Sequence, residues 1–387
     1  MIDTIYTRPE HVELRRQVAR FLAQEVEPNA LAWDEQGYTP REVLRTMGAL
    51  GWLGLTAPAE YGGAEVDVTT NVVFQEALSR STSGGFVITV LVHTDMASPH
   101  LLNAGSAEQK ARWLPAIHRG ELITAVAVTE PDAGSDVASL RTRARRDGDH
   151  WVIDGSKMFI TNGVLADLVF VAARTDPAAK GSRGLSIFAV ERGTPGFSVG
   201  RSLKKSGWLA SDTAELVFDQ CRVPAANLLG EEHRGFYAIM KNFQTERIAL
   251  GSMAIGHCLT ALDLTLRYVQ ERKAFGAVLW DKQAIRQRLS MLAARVQAAR
   301  QLLYHCAWLV DAQRDAVAEI SMLKALTGEL VNEVTYTCQQ FHGGMGYMRE
   351  SPIERLVRDA RVLAIGGGAT EVMLEEVAKR FERGLRP

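Results

Sequence analysis

Three stretches of this chain combine residue types that can do chemistry. The first is Val128-Thr129-Glu130-Pro131-Asp132-Ala133-Gly134-Ser135-Asp136, a strand-like segment running into a turn with hydroxyls, small residues and several backbone N–H groups. Such a loop can approach a phosphate or a flat ring closely, because glycine leaves the backbone uncovered and successive N–H groups form an anion-accepting concavity. Taken alone, the stretch fits an ordinary Asx-rich turn better. The second is Lys157-Met158-Phe159-Ile160-Thr161-Asn162-Gly163, where Phe159 and Thr161 stand two apart on a strand and so face one side. Alone, it is a routine core strand. The third is Gln244-Thr245-Glu246-Arg247, in which Glu246 shares a helical face with Ile239, Phe243, Ala249, Leu250 and Met253. A carboxylate on an apolar stripe is costly to bury ionised, so its pKa rises. That is compatible with a general base; the structural alternative is an ion pair with an arginine of another helix.

Other chemistries find little support. No G-x-G-x-x-G follows a strand and no Walker A sequence occurs, so a nucleotide cofactor is not held in either of those ways. Gly196-Phe197-Ser198-Val199-Gly200 has the spacing of a hydrolase elbow, but no helix follows it, and it is expected to be a strand with a chance spacing. The nine histidines are scattered, and Cys221, Cys258, Cys306 and Cys338 form no CxxC pair. No metal is expected, and the cysteines fit reduced thiols of a cytoplasmic protein. Forty-four basic residues balance forty-five acidic ones, so there is no cationic field to attract nucleic acid. The first residues do not resemble a signal peptide, and no apolar run approaches the roughly 20 residues needed to span a bilayer; no membrane association is expected.

The elements that must hold these residues fall into three zones. No proline lies between Pro224 and Pro352, as long helices require, since an interior proline costs about 3 kcal/mol. Apolar residues there recur at helical spacing, as in Leu259, Leu262, Leu266 and Val269. This predicts a bundle of long antiparallel helices. Between about Leu122 and Leu229 lie short runs rich in β-branched and aromatic residues: His150–Ile153, Leu168–Val171, Leu185–Val190 and Leu216–Phe218. Turn signals separate them, which predicts an antiparallel β domain. The first 120 residues return to helix, with amphipathic segments Glu13–Glu25 and Pro40–Leu50, the latter capped by Thr39. The expected fold is α+β: an N-terminal helical domain (1–121), a middle antiparallel β domain (122–230) and a C-terminal four-helix bundle domain (231–387).

The first two stretches together, in this order, resemble the paired FAD-binding segments of the acyl-CoA dehydrogenase family. The resemblance continues through Gly207-Trp208-Leu209-Ala210-Ser211-Asp212-Thr213-Ala214-Glu215-Leu216 and Arg272-Lys273-Ala274-Phe275-Gly276, then Gln340-Phe341-His342-Gly343-Gly344-Met345-Gly346-Tyr347 and Arg358-Asp359-Ala360-Arg361. It covers essentially the whole chain, and the family fold has the same three zones. The resemblance implies an FAD enzyme that oxidises an acyl-CoA to its enoyl-CoA in fatty acid β-oxidation or related lipid metabolism. It also implies an electron-transfer flavoprotein as acceptor and a homo-oligomer, usually a tetramer.

Residue by residue, the resemblance places Val128, Thr129, Phe159, Ile160 and Thr161 against the flavin, with the Thr161 hydroxyl near N5. Gly134 and Ser135 line the passage shared with pantetheine. Arg272, Phe275, Gln283, Gln340, Gly343 and Gly344 match contacts to the pyrophosphate and adenosine, made in part by a neighbouring subunit. Ala274 stands where relatives have threonine. Ala369 also lacks a hydroxyl found in many relatives, for which Thr370, followed by Glu371, is expected to substitute. Ser135, Tyr237, Arg247 and Gly367 are implied on the substrate side.

The base is the point of departure. Many members carry it as a glutamate just before a Gly-Thr pair near the C-terminus, where this chain has Gly367. In the long-chain and isovaleryl branches it lies instead within a Glu-Arg pair, which Glu246-Arg247 matches. We therefore expect Glu246 to remove the α proton while Gly367 keeps the backbone N–H that binds the thioester oxygen. Arg247 is expected to point elsewhere and brace the site. Medium- to long-chain or branched acyl groups are favoured; an oxidase using O2 and a non-catalytic binding role are the alternatives.

Overall fold

A computed structural model of the chain describes residues 4–179 and 181–384. Helices occupy the first third: α1 (Pro9–Phe21), α2 (Ala30–Gln36), α3 (Arg41–Ala49), α4 (Val68–Leu78), α5 (Gly84–Leu91), α6 (Ser98–Ala104) and α7 (Ala107–His118). The two expected amphipathic segments are α1, which runs on through a π turn at Leu22–Val26, and α3. Pro40, not Thr39, is the N-cap of α3. The Thr39 hydroxyl instead donates to the carbonyl of Ala210, so a local capping residue is used for a contact with the middle of the chain. α4 and α5 begin at side-chain caps, Asp67 accepting from the Thr70 N–H and Ser83 from the Phe86 N–H.

The middle zone forms one eight-stranded sheet: β1 (Thr124–Ala127), β2 (Arg143–Asp147), β3 (His150–Thr161), β4 (Leu168–Arg174), β5 (Leu185–Glu191), β6 (Phe197–Ser202), β7 (Thr213–Pro224) and β8 (Leu228–Leu229). The order is β6-β7-β3-β2-β4-β5-β8, with β1 beside β4. The expected runs lie in β3, β4, β5 and β7, and most pairings are antiparallel. Two are not: β1 pairs with β4 in parallel, Thr124 opposite Leu168, and β2 meets β4 in parallel at Arg143 and Arg174. A parallel neighbour needs a long crossover, and residues 128–167, including the first two chemical stretches, make it. The hydrolase-like spacing falls on β6, an exposed strand at one end of the sheet order.

The last zone contains α8 (Gly235–Glu271), the small hairpin β9 (Lys273–Ala274) and β10 (Ala277–Val278), then α9 (Gln283–Asp311), α10 (Val317–His342), α11 (Pro352–Ala360) and α12 (Thr370–Glu382). α10 packs against α8, α9, α11 and α12. The 37-residue α8 is apolar enough to cross a membrane by length and composition, but 89% of its most apolar window is buried within the protein. Close packing explains one of its glycines: a Cβ on Gly256 would sit 2.4 Å from the Ser79 Cβ, beside the end of α4.

Three apolar clusters result. The N-terminal helices share one core with most of the bundle, a second joins α6, α7 and the sheet to the start of α8, and a third fills the β domain. A buried polar junction ties the zones together. Asp359 accepts from the Gly84 N–H (2.9 Å) and the Trp208 N–H (2.5 Å), while Asp34 accepts from the Ala210 N–H and pairs with Arg355 and Arg358.

Candidate active site

Glu246 sits on α8 where two cores meet. Ile239 and Phe243, on its N-terminal side, belong to the cluster shared with α6, α7 and the sheet; Ala249, Leu250 and Met253 belong to the helical core. The stripe read from the sequence is thus a contact surface with two different neighbours, and the carboxylate occupies the seam. Glu246 is half-buried and keeps access to solvent. Burial nevertheless pushes its pKa up to about 7, against the opposing charges of Arg247 and Lys324. It forms no ion pair with another helix's arginine among the described residues.

Gly367 lies beside it. A Cβ built on Gly367 would be 3.1 Å from the Glu246 Oε1 and 2.1 Å from the Leu250 Cδ1, and the residue has φ +63°. Position 367 therefore has neither room nor backbone conformation for a side chain. Its N–H makes no hydrogen bond among the described residues, whereas the preceding Ile365 and Gly366 N–H groups both donate to the Val362 carbonyl. An open donor next to an elevated carboxylate suits a substrate whose oxygen is bound while a neighbouring C–H is deprotonated.

One turn of α8 around the carboxylate carries further unmet polar atoms. The Asn242 Nδ2, Gln244 Oε1 and Arg247 Nε are buried without a hydrogen-bond partner among the described residues. Native proteins seldom leave such groups unpaired unless a ligand or water completes them. The Arg247 guanidinium packs over the Phe243 ring at 5.8 Å, and burial lowers its pKa against the charges of Glu246 and Glu376. Tyr237, three turns earlier, is exposed with the Arg234 guanidinium 4.6 Å from its ring centre.

The crossover between β1 and β4 builds the second part. Glu130 and Ala133 exchange backbone hydrogen bonds, closing a tight turn that leaves Gly134 and Ser135 exposed. Beneath it Lys157, fully buried, donates to the Val128 carbonyl (3.0 Å) and to the Glu130 Oε1 (2.8 Å). Burial draws the Lys157 pKa down to about 8, with Glu130 opposing. Burial raises the Glu130 carboxyl, but Lys157 and the Arg141 and Thr142 N–H groups outweigh it and hold it low. The Thr129 carbonyl accepts the Met158 N–H, joining the two stretches directly. Where β3 breaks register, Phe159 stands 68% exposed at φ +62°, between buried Lys157 and Ile160. A bulky residue in the left-handed region is strained, and such strain gathers at functional sites. The half-buried Thr129 and Thr161 hydroxyls have no protein partner among the described residues. An uncovered aromatic ring flanked by two open hydroxyls fits a flat polar ring system.

The remaining expected cofactor residues form a separate group. Arg272, Gly343 and Gly344 line an open depression of about 540 Å³ with Tyr268, Leu279, Phe341, His342 and Met345. Nothing would meet a Cβ on either glycine, and the Arg272 guanidinium has no acidic partner among the described residues. This suits a pyrophosphate. Phe275, on the hairpin turn, is 96% exposed, and Gln283 and Gln340 are also exposed. The lining of this depression includes no residue of the two β-domain stretches. The Thr370 hydroxyl donates to Glu329 (2.8 Å) and Glu371 is exposed on the first turn of α12. The hydroxyl expected to replace the one missing at Ala369 is thus engaged within the protein, because Glu329 on α10 lies within its reach.

Sequence reasoning passed over Lys324 and the Lys157–Glu130 pair. Lys324 had a visible signal, a lone charge in Met322-Leu323-Lys324-Ala325-Leu326.

The chain matches three family profiles in succession: "Acyl-CoA dehydrogenase, N-terminal domain" over residues 8–121, the middle domain over 125–221 and the C-terminal domain over 233–382. It is 40% identical over 375 residues to a mitochondrial long-chain specific acyl-CoA dehydrogenase of Mus musculus, covering 96% of this chain and 86% of that one. It is 36% identical over 375 residues to a mitochondrial isovaleryl-CoA dehydrogenase of Pongo abelii, covering 96% and 88%. Among solved structures, an acyl-CoA dehydrogenase from Geobacillus kaustophilus superposes with a TM-score of 0.95 at 40% identity, covering 98% of this chain and all of that one.

Proposed function

Since this chain belongs to the acyl-CoA dehydrogenase family, we propose that it converts a medium- to long-chain or branched acyl-CoA to the trans-2-enoyl-CoA, with Glu246 removing the α proton. The chain is an FAD-dependent oxidoreductase of the acyl-CoA dehydrogenase class. When bound, FAD supplies the acceptor for the β hydride. Val128, Thr129, Phe159, Ile160 and Thr161 would hold its ring system, and Arg272, Gly343 and Gly344 its phosphates.

The observation that carries the proposal is the approach of Glu246 to Gly367, whose Cβ position lies 3.1 Å from the carboxylate. An α C–H beside a thioester becomes acidic only if negative charge developing on the carbonyl oxygen is stabilised. The unpaired Gly367 N–H supports that role, and the Glu246 carboxylate then takes the proton as base. With a pKa near 7 it is ionised for a substantial fraction of the time at neutrality, yet more basic than an ordinary glutamate. The unpaired polar atoms of Asn242, Gln244 and Arg247 support a polar chain such as pantetheine running along this turn. Leu250 and Met253, continuing the face into the helical core, support an apolar acyl group on the other side. The long-chain and isovaleryl specificities named for the two relatives agree with that range. Electrons would pass on to an electron-transfer flavoprotein, and the second group of cofactor residues supports a homo-oligomer in which neighbouring copies complete each site.

Glu246→Gln tests the assignment. The variant should retain FAD and bind acyl-CoA but lose reduction of an artificial electron acceptor across straight and branched chain lengths. Turnover near that of the parent enzyme would remove Glu246 as the base.

A further inference from the structure

Lys324 is a buried charge without a part in the chemistry above. It lies on α10, 1% exposed, and its Nζ donates to the carbonyls of Leu363 (2.7 Å) and Gly368 (2.9 Å). These carbonyls bracket Gly367. Three successive glycines, Gly366-Gly367-Gly368, form the turn between them, with φ +63° at Gly367 and +103° at Gly368. Glycine is the residue least able to hold one backbone conformation unaided, and these three offer no side chain to pack. The Ile365 and Gly366 N–H bonds to the Val362 carbonyl fix the turn's entry. Lys324 fixes its exit and ties it back to the carbonyl of Leu363. Because an ammonium carries three donors and no acceptor, it can hold two carbonyls at once.

We propose that Lys324 is a positioning residue for thioester activation: by gripping the carbonyls of Leu363 and Gly368 it holds the Gly367 N–H beside Glu246, so that one bound oxygen and its α C–H meet donor and base together. The inference rests on the acyl-CoA reading above. The charges around this ammonium are Glu246 and Arg247 on α8, Glu329 on α10 itself, and Glu376 on α12, which faces Arg247. Burial lowers the Lys324 pKa to about 8, with Glu246 the principal charge opposing that fall. The grip on the turn and the pull on the base therefore come from one group.

A purely structural lysine and a positioning lysine make different predictions for ligands that do or do not have the thioester oxygen. With FAD-loaded enzyme, dissociation constants are measured for trans-2-dodecenoyl-CoA and for S-dodecyl-CoA, a thioether without the carbonyl. Lys324→Met should weaken the thioester about tenfold, the effect of one misdirected hydrogen bond, and leave the thioether within about twofold, a change well inside the scatter of a single contact. The acid limb of kcat/KM should also move to higher pH, since the positive charge that favours ionised Glu246 is gone. Lys324→Arg keeps the charge while changing the reach and planarity of the donors. It should leave the acid limb in place and still lower the thioester preference, which keeps the test decisive should the methionine variant fail to fold. An unchanged ratio of the two dissociation constants in a folded variant overturns the inference. Failure of the parent enzyme to bind or oxidise any acyl-CoA would instead overturn the functional reading beneath it.

Discussion

Replacing Gly367 by alanine probes the geometry with a single methyl group. The added carbon would lie 2.1 Å from the Leu250 Cδ1 and 3.6 Å from its Cγ, where carbon atoms prefer about 3.5–4.0 Å. Leu250 is 4% exposed and packed in the helical core, so relief of the clash requires its side chain to repack. Two costs combine. Holding a non-glycine residue in the left-handed region costs about 1–2 kcal/mol, and overpacking a filled core costs about 1–3 kcal/mol. The expected destabilisation is therefore roughly 2–5 kcal/mol, read as a fall in the urea midpoint at unchanged slope. The same carbon stands 3.1 Å from the Glu246 Oε1, so kcat should fall more than KM rises. A double-mutant cycle with Leu250→Ala separates the terms, because only the overpacking part is relieved when leucine is shortened. The pair should be less destabilised than the sum of the singles by about 1–3 kcal/mol. Additive costs, or Gly367→Ala within about 0.5 kcal/mol of the parent, would refute this placement of the loop against α8.

Three further outcomes follow from the same structure. If Glu246 is the base, as proposed, it acts ionised, and kcat/KM should rise tenfold per pH unit on the acid side and level off near pH 7, as measured in a pH–rate profile. The matching stability effect has the opposite sense to a salt-bridged acid: with the folded pKa near 7 above the ordinary 4.5, the native state binds the extra proton between these values and loses stability as pH rises through them. Glu246→Gln should thus stabilise the fold at pH 8 relative to the parent, by up to about 3 kcal/mol, with the gain fading towards pH 4 in paired urea titrations. Lys157→Met should destabilise by about 3–5 kcal/mol, since it strands the buried Glu130 carboxylate; it should also weaken FAD affinity, followed by flavin fluorescence, because the Val128 carbonyl loses its anchor. Unaltered FAD affinity in that variant would show that the crossover turn holds its shape without Lys157.

How much of this was legible depends on how local each signal is. Glu246 stands out through the Glu-Arg pair of the family resemblance, with helical periodicity supporting it by surrounding the carboxylate with apolar residues, and the strands announced themselves by β-branched runs. The parallel pairing of β1 with β4 could not be found that way. Local turn signals favour hairpins, and nothing in Thr124–Ala127 points to Leu168–Val171 across the intervening crossover. Gly367 stood out only as a departure from a family pattern; its reason, the Leu250 side chain against its backbone, comes from a helix more than a hundred residues earlier in the chain. Lys324 shows the same limit. Its charge is visible within an apolar run, but its partners are backbone carbonyls 39 and 44 residues away, and a carbonyl carries no sequence signature. Thr39, expected to cap a helix, and Thr370, expected to replace the hydroxyl missing at Ala369, are each drawn instead to a distant acceptor, Ala210 or Glu329.

The placement proposed for the base follows from these contacts. In the loop arrangement that the family resemblance implies for many members, one residue supplies both the carboxylate and the N–H. On the proposed reading the two functions are divided between α8 and the glycine turn, and the packing makes that division hard to reverse. A glutamate at 367 would drive its Cβ into Leu250 and bring a second carboxylate against Glu246. Two carboxylates in contact cannot both remain ionised, so one would be forced neutral near pH 7. Restoring the loop base would require shortening Leu250 and removing the charge of Glu246 together. Either change alone should lose activity: the first opens a cavity beside an intact base, and the second leaves an N–H with no base to serve. The site has room for one carboxylate, and α8 supplies it from a seam between two cores where neighbours on both sides fix its position.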